Sequence, residues 1–244
     1  MPSRSRKASL TSDHLARRSP PATNPPNNRV LLTVRLLVNV QVITTHLEMN
    51  APEELRRSSS RTDADVVRVA IPSPELNRFF YTAIGGDWYW LDRLPWTYDD
   101  WQRYLDRPEL QTWLVTVGGV PAGYFELELQ AGDDVEIVYF GILPQYTVAG
   151  LGGWALSRAV DCAWAMGAKR VWVHTCDLDH PRALANYLAR GFKVFKTETK
   201  DEDLPVRSVG PWPGSGKPTE TFAAIKAASA AGLALCRAST PPGP

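Results

Sequence analysis

The stretch Val135–Gly153, VEIVYFGILPQYTVAGLGG, decides how this chain is read. Its first eight residues are apolar apart from Glu136 and rich in β-branched and aromatic side chains, which predicts a buried strand. A short glycine-containing loop follows, and from Leu151 to Met166 apolar residues recur at helical spacing. A strand, a glycine loop and a helix N-terminus in that order form an anion site. The free N–H groups of the first turn and the positive end of the helix dipole converge on one point. This segment is suited to holding a pyrophosphate.

Working outward, the turn Ala131–Asp134 feeds this strand from a hairpin. The hairpin comprises Thr112–Val117, the pair Gly118-Gly119 and Val120–Gln130, whose turn chemistry joins antiparallel strands. Upstream, Ser73–Ile84 reads as a helix with Pro74 in its first turn and Gly85-Gly86 at its end. Thr97 with Asp100 three residues later opens a second helix as a capping box, ending before Pro108. Val38–Met49 suits a first strand, and 66–71 a short extended piece. Downstream of Gly167 come a strand over Arg170–Thr175, a helix over Pro181–Arg190 closed by Gly191, and an alternating edge strand over Phe192–Thr199. The order predicts an α+β or α/β domain: one mixed, mostly antiparallel central sheet flanked by helices.

The flanks read differently. Residues 1–37 are Ser-, Pro- and Arg-rich without an apolar signal region, and are expected to be a disordered extension. Met49 is an alternative start. The domain is expected over residues 38–204. Residues 205–244, rich in Pro, Gly, Ser and Ala, are expected to form a poorly ordered tail, with a local helix within 221–237.

A net charge of +1 gives no electrostatic case for nucleic acid. No apolar run is long enough for a membrane span. Three scattered cysteines without a CxxC pair argue against zinc and against a disulfide framework, and fit a reducing cytoplasm. Gly214-Ser215-Gly216-Lys217 imitates part of a P-loop, but Pro218 stands where Ser/Thr is needed. His174, Cys176, Asp179 and His180 lack zinc-ligand spacing. A Rossmann site is disfavoured, because the strands before the loop read antiparallel and no GxGxxG occurs.

Two motifs, 34 residues apart, carry a resemblance to the GNAT acetyltransferase superfamily over roughly residues 66–199. Thr147-Val148-Ala149-Gly150-Leu151-Gly152 is similar to the family's acyl-CoA loop, Arg/Gln-x-x-Gly-x-Gly/Ala. Asn186-Tyr187-Leu188-Ala189-Arg190-Gly191-Phe192 is similar to its Leu-Tyr-x-x-x-Gly-Phe helix ending. The resemblance implies acetyl-CoA as co-substrate, with no metal, and a pyrophosphate held by Thr147, Val148, Ala149, Gly150, Leu151, Gly152 and Gly153. It also implies that Ile142 and Leu143 hold the pantetheine arm, on a strand that splays open near Gly141. Thr147 departs from the pattern by lacking a long donor, for which its hydroxyl is expected to compensate in part.

Acetyl transfer needs a neutral nucleophile, and a free alkylamine of pKa about 10.4 is neutral in only about one molecule in 2,500 at pH 7. Glu136, flanked by apolar neighbours, is the leading base, and the resemblance to histone-type members points to the same residue. Glu126 and Glu128, on one face of the neighbouring strand, are alternative bases or acceptor-binding groups. Tyr187 matches the family's acid for the departing thiolate. His174, Asp179 and His180 are expected near the pocket. Asp87–Trp101 holds six aromatic residues and four aspartates. Trp88, Tyr89 and Trp90 there suit a cationic acceptor.

The expected function is N-acetyl transfer from acetyl-CoA to a primary amine of a small molecule or protein, by a cytoplasmic monomer or homodimer. A catalytically silent acyl-CoA-binding or regulatory module on the same fold is the alternative.

Overall fold

The structure, a computed structural model, describes residues 37–147 and 150–216. The expected extension over residues 1–36, Val148, Ala149, and the tail with its Ala-rich helix from 217 onward lie outside the described residues.

Among the described residues, seven strands and four α-helices follow in the order β1 Leu37–Met49, β2 Ala64–Arg68, α1 Pro74–Gly85, α2 Tyr98–Leu105, β3 Leu110–Val117, β4 Val120–Leu129, β5 Asp134–Ile142, α3 Leu151–Ala165, β6 Arg170–Cys176, α4 Ala183–Ala189 and β7 Lys193–Pro205. They form one sheet of order β2-β3-β4-β5-β6-β1-β7. Only β5 and β6 run parallel; the other neighbours are antiparallel. The fold is therefore the expected mixed α/β sheet flanked by helices.

Local chemistry accounts for the element ends. Ser73 caps α1 through a bond from Leu76 N, and Thr97 with Asp100 closes a full capping box on α2. Gly118 and Gly119 both sit at positive φ (56° and 79°), as a two-residue hairpin requires. One face of the sheet buries Leu47, Phe125, Leu127, Ile137 and Val173 against Leu151, Leu156 and Val160 of α3. The other face packs Tyr124 against Phe80 and Ile84 of α1.

The structure adds to or departs from the expectation at four points. β1 lies inside the sheet, paired with β6 on one side and β7 on the other, with Leu47 and Met49 fully buried. A start at Met49 would remove this inner strand and leave β6 and β7 without their shared partner. β7 extends to Pro205 because β1 offers thirteen residues of backbone to pair with; its charged second half carries no apolar signal. The loose tail begins later than residue 205: Ser208 is buried, and Gly210 N donates to Gly86 O at 2.9 Å. Gly86 is needed for that approach, since a Cβ there would lie 2.5 Å from the Gly210 backbone. The predicted helix over Pro181–Arg190 is shorter, with a turn over residues 181 and 182 closed by Ala183 N to His180 O.

Candidate active site

β5 pairs with β4 along its length, but with β6 only at Asp134, Val135 and Glu136. Beyond Glu136 the parallel strands diverge. A bulge sits at the point of divergence: Leu127 opposes Ile137 and Glu126 opposes Tyr139, so Val138 is the extra residue. The bulge resets the side-chain alternation. Ile137 belongs to the α3-side core, whereas Tyr139 turns to the opposite face and packs on Tyr81 and Trp90. A cleft of about 1120 Å³ occupies the gap between the strands. The segment 87–93 and the start of α4 also border it.

One end of the cleft is built for an anion. Gly150 caps α3 at φ 77° without any side-chain cap, and its carbonyl accepts from Gly153 N and Trp154 N at 3.1 and 3.2 Å. Among the described residues, the N–H groups of Leu151 and Gly152 have no acceptor. Side chains are kept out: nothing lies within 4 Å of a Cβ built on Gly150, and only Asn186 Nδ2, at 3.9 Å, on Gly152. The guanidinium of Arg190 lies over Gly153, and its buried Nε has no hydrogen-bond partner. Arg182 lines the same cleft. Unpaired donors, open space and two guanidinium groups fit the diphosphate of a coenzyme A thioester. The Thr147 hydroxyl donates to Pro144 O at 2.8 Å within its own turn.

The other end of the cleft joins carboxylates, rings and an imidazole. His174 of β6 is exposed to the cleft, and its Nδ1 lies 3.2 Å from Glu136 Oε1. Glu136 is buried, and its other oxygen accepts from Gln130 Nε2 at 2.7 Å. Gln130 is oriented in turn by Trp172 Nε1, at 3.0 Å. The hydrogen bond that His174 donates to Glu136 raises its pKa above 6.5 against the opposing effect of burial, with help from the charges of Glu136, Asp179 and Asp92. His46 of β1 stands beside it, ring centroids 5.9 Å apart, with its Nε2 2.8 Å from Glu198 Oε1.

Asp179 accepts from Thr175 Oγ1 (2.7 Å), Cys176 N (3.0 Å) and Trp90 Nε1 (3.3 Å), which ties the aromatic segment to the end of β6. Tyr187 is buried and borders the cleft, and its hydroxyl makes no hydrogen bond among the described residues. Burial and then the Asp179 charge push its pKa up, so it stays protonated. Burial likewise raises the Cys176 thiol and pushes Cys162 up to about 11, so neither is a ready nucleophile. Among the described residues no group of three His, Cys, Asp or Glu could hold a metal ion.

Several residues expected from sequence come together at the cleft: Ile142, Thr147, Gly150, Gly152 and Gly153 at one end, and Tyr187 with Trp88, Tyr89 and Trp90 at the other. Leu143 and Leu151 instead pack into the two cores beside it. Glu136 sits behind His174. Glu126 and Glu128 do not line the cleft. Glu126 is fully buried, with Asn77 Nδ2 on one oxygen and Arg93 and Tyr104 on the other, each at 2.8 Å. Glu128 is paired with Arg107 at 2.7 Å. Sequence reasoning missed Arg93, whose guanidinium lies 3.9 to 5.6 Å from the ring centroids of Tyr104, Tyr139, Trp96 and Trp101. A lone arginine inside an aromatic-rich segment was the available signal. Arg190 was also missed, since its place over Gly153 depends on a helix 34 residues downstream of the loop.

Residues 75–192, which run from α1 through α4 with the strands between them, match the model of the Acetyltransferase (GNAT) family. Among solved structures it is similar to a GCN5-related N-acetyltransferase from Kribbella flavida, with 21% identity, a TM-score of 0.50 and coverage of 68% of this chain and 60% of that one. It is also similar to one from Sphaerobacter thermophilus, with 12% identity, a TM-score of 0.52 and coverage of 69% and 53%. The match thus spans less than two thirds of either relative's length, and at such identities it concerns the fold. No curated protein sequence matches significantly.

Proposed function

We propose that this chain is an N-acetyltransferase that moves an acetyl group from acetyl-CoA to a primary amine by direct transfer. The observation that carries this reading is the opening of β5 from β6 after Glu136, directly over the uncapped N-terminus of α3. A thioester bound there supplies an activated acyl carbon. Leu151 and Gly152 N–H, with Arg190 and Arg182, hold the diphosphate, together with Val148 and Ala149 as the sequence suggests. Backbone of β5 near Ile142, unpaired on its β6 side, receives the pantetheine arm.

On the acceptor side, Asp87, Asp92, Asp179 and Glu202 border the cleft with Trp88, Tyr89 and Trp90. Carboxylates with aromatic faces favour a cation, and so an ammonium group on a small molecule or a protein. The Glu136–His174 pair supplies the basic function of the site. Tyr187, held neutral, is the proton donor for the sulfur that leaves. The free, buried Cys162 fits a reducing cytoplasm.

The test is thiol release from acetyl-CoA across a panel of a diamine, an arylalkylamine, an aminoglycoside and a lysine peptide, alongside calorimetric binding of CoA. Binding with turnover on at least one amine is the expected result. Thr147, which lacks the family's long donor, favours the second reading, a silent acyl-CoA-binding module. Binding without turnover on any amine would select it.

A further inference from the structure

We propose that His174 is the catalytic base of this site and that Glu136 acts through it as a positioning residue. The inference rests on the acetyltransferase reading above and concerns which atom removes the proton. Glu136 occupies the position from which a carboxylate was expected to act directly, yet it does not border the cleft. Both of its oxygens are engaged, one with Gln130 at 2.7 Å and one with His174 at 3.2 Å. His174 stands between Glu136 and the open space.

The hydrogen bonds fix the tautomer. A carboxylate accepts only, so Nδ1 of His174 must carry the hydrogen that faces Glu136. In the neutral imidazole this leaves the lone pair on Nε2. Among the described residues Nε2 has no partner, and the side chain is 46% exposed, on the cleft side. The relay from Trp172 through Gln130 to Glu136 prevents the carboxylate from swinging toward the substrate itself. A fixed carboxylate, an oriented imidazole and a free nitrogen in the cleft make a base of the His–Glu type.

The step balances as follows. Nε2 of His174 takes a proton from the amine nitrogen as the new C–N bond forms. The C–S bond breaks, and the sulfur receives a proton from the Tyr187 hydroxyl. The imidazolium then releases its proton to solvent, and the tyrosinate recovers one. Glu136 stays ionised and stabilises the imidazolium while it lasts.

The groups that face His174 set its pH response. Glu136 from β5 raises its pKa most, and Asp179 and Asp92 raise it further. His46 and Trp172 stand against its ring from β1 and β6. Because the base works when neutral, turnover is lost as pH falls through the raised pKa.

The experiment combines imidazole 15N NMR with pH-rate profiles, using acetyl-CoA and the amine panel above, on the full chain and on His174→Gln and Glu136→Gln. Thermal melts and calorimetric binding of CoA accompany each variant. The NMR spectrum of the wild type should show the Nδ1–H tautomer for His174 and a pKa above 6.5. His174→Gln should lower kcat/KM by about 100-fold or more while CoA binding stays within about twofold. Glu136→Gln keeps an acceptor for Nδ1–H but removes the charge. It should lower the rate by about tenfold and move the acid limb of the profile to lower pH. A folded His174→Gln that keeps its rate within about threefold would overturn the proposal. So would a Glu136→Gln profile in which the acid limb disappears, as it would if the carboxylate itself were the base. Wild-type protein that binds CoA but turns over no amine would refute the acetyltransferase reading, and the base with it.

Discussion

Along its β4 edge β5 is paired from Val135 to Ile142, whereas along its β6 edge pairing stops at Glu136. A glutamate is buried beside each edge. On the closed edge Glu126 meets Arg93, Asn77 and Tyr104, all of its acceptor capacity is directed inward, and the Arg93 charge is enclosed by aromatic rings. On the open edge Glu136 meets an amide and a titratable imidazole, and the imidazole reaches the cleft. The same residue type, at nearly the same burial, is a fixed strut in one place and part of a proton path in the other. The partner decides: a guanidinium locks a carboxylate, whereas an imidazole can pass its influence on.

The largest effect should come from breaking the closed edge. Glu126→Ala leaves Arg93 charged and buried without its counterion. It is expected to destabilise the fold by about 3–5 kcal/mol, read from chemical denaturation. Glu126→Gln, which keeps the shape, should lose less. A Glu126→Ala protein of unchanged stability would remove the distinction between the two glutamates.

At the open edge the same change is chemical rather than structural. Tyr187→Phe retains the ring packed on Phe192 at 6.0 Å and removes only the hydroxyl. It should lower kcat by about 10- to 100-fold with CoA affinity unchanged, measured by steady-state kinetics beside calorimetry. An unchanged kcat would mean that the thiolate is protonated by solvent.

A smaller effect is expected at the anion end. Arg190→Ala should weaken CoA binding by about tenfold, since one charge-assisted contact is worth about 1.5 kcal/mol. The loss should shrink at high salt, because the contact is electrostatic. Gly153→Ala should weaken binding in the same direction, because its Cβ meets the Arg190 guanidinium.

The smallest effect is on stability against pH. The folded pKa of His174 is raised by Glu136, so the pair's contribution is fully present below about pH 6.5, the ordinary histidine value. It is lost as pH rises through the raised value. Melts from pH 5.5 to 8.5 should therefore show a small extra loss toward alkaline pH in the wild type that is reduced in Glu136→Gln.

Much of the fold was legible because its signals are local. The capping box at Thr97, Pro74 at the start of α1, the Gly118-Gly119 hairpin and the Gly150 loop each act within four residues, and each marks its element correctly. What was hidden is non-local. The inner position of β1 depends on pairing with strands more than 120 residues away. The second half of β7 is charged and exposed apart from the buried Leu204, so the backbone of β1 is what makes it a strand. The cleft residues divide in the same way. Gly150, Gly152 and Tyr187 belong to motifs that are contiguous in the chain, whereas Arg190 reaches its place over Gly153 only through the docking of α4 on α3.

The sequence alone determined the element order, the glycine-lined helix start that suits a diphosphate, and the presence of a glutamate and a tyrosine on the elements around it. These follow from side-chain periodicity and backbone freedom, which act over short range. Tertiary structure decided which carboxylate faces what. Glu126, Glu128 and Glu136 occupy one sheet face and look alike in the chain. Their partners come from α1, the segment before α2, α2 and the turn after it, the β4–β5 turn and β6, most of them far apart in sequence. The parting of β5 from β6 after three paired residues was likewise a property of the sheet, and it is this parting that leaves His174 open to the cleft.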